Sequence, residues 1–152
     1  MVENKSIIIN DDNYLKYQKN NIIIIEGISN VNIDFNYSEI KTPVYIKECV
    51  IKNMYLNSTW FRKGFVLENC IVLNDINHEM GGHNYSEIHI HNNIFLGFFD
   101  FFDCHFFERI TVNNNIFIKG TNLIGNTCKG YKNIFDKGLE LYENIGRLNE
   151  EN

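Results

Sequence analysis

Ser86–Gly97 reads SEIHIHNNIFLG, and Glu108–Gly120 reads ERITVNNNIFIKG. Both carry two apolar residues flanking a polar one, then asparagines, then an Ile-Phe pair. Looser copies stand upstream: PVYIKECVIKN at Pro43–Asn53 and GFVLENCIVLND at Gly64–Asp75. Aligned on their first apolar residue, Val44, Phe65, Ile88 and Ile110 fall 21, 23 and 22 residues apart. Ile46, Leu67, Ile90 and Val112 follow in step, then Cys49, Cys70, Asn93 and Asn115. Leu139, Leu141, Asn144 and Ile145 supply a further copy after an insert. Ile22, Ile24, Val31, Ile33 and Phe35 supply a degenerate one upstream.

A fixed period near 22 with strand-like alternation predicts a solenoid, because one repeat alone has nothing against which to bury its apolar face. Stacked copies pair strand on strand about 4.8 Å apart, so equivalent side chains form ladders. The Cys/Cys/Asn/Asn ladder falls between two short strands, where the chain turns. Asn tolerates the left-handed backbone of a corner and bonds along the ladder, and Cys is small enough to share the position. A leucine-rich repeat lacks its regular leucine frame here, and a pentapeptide helix wants small inward residues, whereas this chain has no alanine.

The pattern resembles the right-handed parallel β-helix superfamily of pectate-lyase-like proteins over Ile22–Ile145. The resemblance implies an all-β, single-stranded right-handed parallel β-helix with about 22 residues per turn. A single domain is expected, with residues 1–21 as an N-terminal cap, 22–145 as solenoid turns and 146–152 as a frayed polar tail. A short helix within Asn10–Asn20, started by Asp11 or Asp12, would close the first edge.

His89–His91 is the spacing by which a strand offers two imidazoles to a metal. The repeat instead turns both outward, beside Val66 and Glu68 on one side and Thr111 and Asn113 on the other. Glu68 beside His91 is the one carboxylate in reach; an exposed structural pair is the expectation, with no metal and no cofactor. Asn74–Ser86, with His78, Glu79 and His83, reads as a protruding corner loop, since its two glycines break the H-E-x-x-H helix. The superfamily's enzymes carry clustered carboxylates. Asp100 and Asp103 have no third acid in the repeat frame, and Cys104 and His105, as neighbours on a strand, face opposite ways. No catalytic residues are assigned, and the chain is expected not to be an enzyme.

Leu96–Phe107, LGFFDFFDCHFF, packs six phenylalanines into ten residues from Phe98. Alternation along a strand buries about half of them. Trp60 and Phe61 stand at a comparable place one turn earlier. Two readings stay open: a bulky core layer, or a partner-binding strip of Trp60, Phe61, Phe98, Phe99, Phe101, Phe102, Phe106 and Phe107, with Asp100, Asp103, Arg62 and Lys63 as its polar rim.

The formal net charge of −5 argues against a nucleic-acid partner. No apolar run reaches the ~20 residues of a membrane span or the core of a secretory signal, so a cytoplasmic protein without a membrane partner is expected. The four cysteines show no C-x-x-C spacing and are expected to be thiols. These features predict a rigid scaffold that binds and blocks another protein, such as a bacterial toxin's immunity protein or a phage-encoded inhibitor of host defence. The alternatives are a carbohydrate-binding or carbohydrate-active β-helix related to phage tail proteins, and a self-assembling structural unit. A homo-oligomer through the aromatic strip is compatible with either.

Overall fold

The computed structural model describes residues 5–151. Residues 1–4 of the expected cap and residue 152 of the expected tail lie outside them. The chain winds as a parallel β-solenoid of about 5 turns with about 22 residues per turn, and 3% of it is helical. One sheet stacks Ile22–Glu26, Val44–Lys47, Phe65–Glu68, Ile88–His91, Ile110–Asn113 and Leu139–Tyr142 in parallel. Its register is the one the repeat predicts, with Val44↔Phe65, Phe65↔Ile88, Ile88↔Ile110 and Ile110↔Leu139. A second sheet carries Ile7–Asn10, Val31–Asp34, Val50–Tyr55, Ile71–Val72, Ile94–Phe95 and Ile116–Phe117, and extends through Ile76–Asn77 and Phe99–Asp100. The third side has only short pairs: Glu39–Ile40 with Trp60–Phe61, and His105–Phe106 with Ile134–Phe135. Apolar columns from all three sides meet in one core.

The corner between the first and second sheets is built from two residues per turn. The first is left-handed: Glu48, Asn69, Asn92, Asn114 and Glu143 have φ of 53 to 58°. The ladder residue follows it, so the expected left-handed asparagines sit one position before Asn93 and Asn115. The ladder residues instead turn inward and bond. Asn93 Oδ1 accepts the Cys70 N–H at 2.9 Å, and Asn115 Oδ1 accepts the Asn93 N–H at 3.0 Å. Asn144 Oδ1 takes the Asn115 N–H at 3.0 Å. The ladder asparagines also donate down one turn, Asn93 Nδ2 to the Leu67 carbonyl at 2.8 Å and Asn115 Nδ2 to that of Ile90 at 2.9 Å, whereas Cys70 Sγ lies 3.8 Å from the Ile46 carbonyl and closer, at 3.3 Å, to the Glu68 carbonyl of its own turn. Buried backbone groups that lie outside a strand ladder are thereby paired, as a dry interior requires.

Four expectations are corrected. Ile23 and Ile25, not Ile22 and Ile24, face inward, in register with Val44 and Ile46. A run of four isoleucines has no polar member to fix its phase, and a slip of one residue reverses the face. The cap is a single 3-10 turn, Tyr14–Tyr17, with Gln18–Lys19 lying antiparallel on Ile22–Glu26. Tyr14 seals the end of the core by its edge-on contact with Phe35, ring centroids 5.8 Å apart. The tail is not frayed: the Ile124 N–H donates to Leu148, and the Glu150 N–H donates to Thr121 at 3.1 Å. Asn74–Ser86 does not protrude either. It supplies the Ile76–Asn77 strand and buries His78 and Asn84.

Candidate functional site

The phenylalanine-rich segment crosses from the second sheet to the third side, and alternation divides its rings. Phe99, Phe101 and Phe106 are core, as is Phe61 one turn earlier; each is at most 1% exposed, so none of these four reaches a partner of the folded chain. Phe99 stacks on Phe101 at 4.1 Å, and Phe106 lies parallel to Phe135 at 5.4 Å. The bulky-core reading holds for this half of the strip. Trp60, Phe98, Phe102 and Phe107 remain half-buried on the outer surface. Phe98 is separated from the others, because it opens onto the second sheet beside Tyr55.

Trp60 and Phe107 belong to a constellation that the repeat did not reveal. The Arg62 guanidinium lies 4.7 Å from the Trp60 ring and 4.9 Å from Tyr85. Its Nε donates to Glu39 at 2.9 Å and its Nη1 donates to the His83 carbonyl at 2.8 Å. The Trp60 indole N–H donates to the Met80 carbonyl at 3.2 Å, and its ring stacks near His83 at 4.5 Å. Phe107 meets His83 at 4.9 Å, Tyr85 at 5.8 Å and His105 at 4.9 Å. His105 Nε2 contacts both Asp136 carboxylate oxygens at 3.0 Å. Burial, then the charges of Arg62 and His105, push His83 below its ordinary value. Tyr37, 76% exposed, and Met80, 47% exposed, extend the surface at the neighbouring corner, and Tyr85 is 62% exposed. Arg62 entered the sequence reading only as a rim residue. Tyr85 and His83 escaped it because their segment was read as a free loop.

The two strand histidines point outward, as the repeat requires. Their rings lie 6.5 Å apart, His91 is 3.9 Å from Glu68, and His89 pairs with Glu87 at 3.3 Å. Among the described residues no group of three or more His, Cys, Asp or Glu is placed to hold a metal ion. Cys49, Cys70 and Cys104 are buried thiols and Cys128 is exposed. Burial pushes the Cys104 thiol well above its usual range, and its Sγ donates to the His78 carbonyl at 2.8 Å. It is a structural group rather than a nucleophile. His78 is buried against Phe101, and desolvation lowers it to about 4.

No family model, curated protein or solved structure matches this chain. The likeness to the pectate-lyase-like superfamily therefore rests at the level of a parallel β-solenoid. No helix among the described residues is long and apolar enough to cross a membrane.

Proposed function

We propose that this chain is a non-catalytic scaffold that binds another protein through its third side and blocks it, a toxin or a defence protein being the kind of target. One observation carries the reading: the Trp60–Arg62–Tyr85 stack, held by Glu39 and the His83 carbonyl and continued by Phe107. Trp, Tyr and Arg are the residues that dominate interface energetics. Here they are locked before any partner arrives, so little ordering cost falls on association. Tyr37 and Met80 add exposed apolar area beside them. Blocking is the simplest use of such a surface on a rigid solenoid.

The test is a tagged-chain capture from lysate of the source organism. Wild type is compared with a Trp60→Ala/Tyr85→Ala variant, whose changes lie on the outer surface and leave the strand circular dichroism intact. A protein that wild type retains and the variant loses by at least about tenfold, the weight of a hot-spot pair, fits the proposal. That protein's activity must also fall when the purified chain is added. Equal retention by both, or unchanged activity, removes the reading, and a glycan array then tests the carbohydrate alternative.

A further inference from the structure

The second sheet carries an outward column that the third side does not use. Asp34, Tyr55, Asn77 and Asp100 stand in register on successive turns. Beside it, Tyr55, Asp75, Ile76, Asn77, Phe98 and Asp100 line one surface groove. Tyr55 stands two turns from Asp100 in the same register, and Phe98 lies two residues before Asp100, so the Tyr55 and Phe98 backbones are roughly 12 Å apart on the diagonal. Asp75 and Asn77 lie on the turn between them. The groove is thus lined by two aromatic rings and two carboxylates, those of Asp75 and Asp100.

Its charges are held in place. Asp75 Oδ1 accepts the Phe98 N–H at 2.8 Å, and Asp100 Oδ1 accepts Asn122 Nδ2 at 2.7 Å. Asp100 is only 9% exposed, so its carboxylate faces the slot from a poorly solvated wall, where attraction for a cation is screened less than on open surface. Asp34 lies beyond one end, and Glu79 and Asp103 lie at the nearby corner. Lys119, 3.6 Å from Asp75, is the cation paired there. Carboxylates therefore outnumber cations along this strip.

We propose that this slot binds a guanidinium group: an arginine side chain on a basic protein segment, seated between Tyr55 and Phe98 and paired with Asp75 and Asp100. Guanidinium is planar, stacks on rings and presents several donors to carboxylates, whereas lysine brings only a point charge. The slot lies apart from the Trp60 stack and stands or falls independently of the partner surface proposed above.

The experiment titrates the isotope-labelled chain with acetyl-arginine amide, following the amide signals of Asn77, Phe98 and Asp100. Acetyl-lysine amide, acetyl-glutamate amide and a neutral oligosaccharide are the comparison ligands. Saturable shifts confined to this slot are expected, tightest for arginine and absent for glutamate. Tyr55→Ala weakens binding by about threefold through the lost ring. Asp75→Asn keeps the acceptor for the Phe98 N–H and still weakens arginine binding, and high salt does the same. The Trp60→Ala/Tyr85→Ala variant binds arginine like wild type, which separates a failed slot from a failed partner surface. The absence of saturable shifts, equal response to glutamate, or indifference to Tyr55→Ala overturns the proposal. Saturation by the oligosaccharide in place of arginine also overturns it and gives the slot to sugars.

Discussion

The two main corners of the solenoid are built by one device and look unrelated in sequence. At the first corner a left-handed residue is followed by Cys49, Cys70, Asn93, Asn115 or Asn144; the asparagines donate to a carbonyl one turn down, and the two thiols lie 3.8 Å from the equivalent carbonyl but nearer one of their own turn, Lys47 at 3.1 Å and Glu68 at 3.3 Å. At the second, Tyr37, Ser58, Met80 and Asp103 are left-handed, with φ of 50 to 59°, and Ser38, Thr59, Gly81 and Cys104 follow them. Thr59 Oγ1 donates to the Phe35 carbonyl at 2.7 Å and Cys104 Sγ to that of His78. Those acceptors are offset by the same three residues as at the first corner. Gly81 has no side chain with which to do this. Its target, the Leu56 carbonyl, is met instead by His78 Nδ1 at 3.0 Å. A corner therefore specifies a donor in a place, and several residue types supply it.

That exchange is open to the sharpest test. A Cβ at Gly81 would stand 2.3 to 2.8 Å from atoms of the His78 ring, so ring and side chain compete for one space. Gly81→Thr alone is expected to destabilise by about 4 kcal/mol, since the buried ring has nowhere to go. His78→Leu/Gly81→Thr frees that space and lets the threonine hydroxyl donate to Leu56, as Thr59 does to Phe35. Chemical denaturation of both single variants and the double variant measures the coupling, expected at about 2 kcal/mol in favour of the pair. Additive losses would mean that the histidine does not stand in for a corner residue.

At the first corner the loss is simpler. Asn93→Ala removes the acceptor of the buried Cys70 N–H and both Nδ2 bonds, to Leu67 and to Asn115. An unpaired buried N–H and the lost bonds together cost about 3 kcal/mol. Urea unfolding gives the number. A loss below 1 kcal/mol would show that water reaches the corner.

The same contrast explains what was legible. Three of the five first-corner donors are asparagine, and each stands five residues after the first apolar residue of its copy, so register and ladder were readable from sequence. At the second corner Thr59 and Cys104 fill the role themselves, His78 fills it for Gly81, and Ser38 Oγ turns to Asp11 instead, so no residue type repeats. His78 takes the place of an apolar residue in the inward column of Phe35, Leu56 and Phe101, so pattern alone assigned it to a loop. Alternation correctly implied that about half of the phenylalanines would be inside. It did not say which, because the segment turns the second corner between Phe101 and His105 and the count of two restarts there. The Trp60–Arg62–Tyr85 stack joins residues from neighbouring turns across that unread side. Its parts were visible in sequence and their meeting was not.

The substitution of a histidine for an apolar residue leaves a pH signature on one corner alone. His78 in the folded chain is held at about 4, below its ordinary 6.5, by burial. The unfolded chain takes up a proton as pH falls through 6.5, whereas the folded chain refuses it until about 4. Stability is thus complete above 6.5, declines between those values and flattens below 4. The share lost by pH 5 is about 2 kcal/mol. Denaturation of wild type and His78→Leu at pH 7 and pH 5 isolates it, since the variant keeps every other titrating group. Parallel losses in the two proteins would place the acid sensitivity elsewhere.

The smallest effect tests how far the two corners are equivalent. Thr59→Val keeps the shape of the side chain and deletes the hydroxyl that bonds the Phe35 carbonyl. That carbonyl retains the Ser38 N–H at 3.1 Å, so no acceptor is orphaned. The expected cost is about 1 kcal/mol, that of one net hydrogen bond. Asn93→Ala costs more because its oxygen is the acceptor for a buried N–H, whereas the Thr59 hydroxyl adds a second donor to an acceptor already paired. Equal losses for the two variants would mean that the second corner depends on its side-chain donors as strictly as the first. In that case the contacts of Thr59, His78 and Cys104 would be separately tuned, and the loose sequence there would no longer follow from a lenient role.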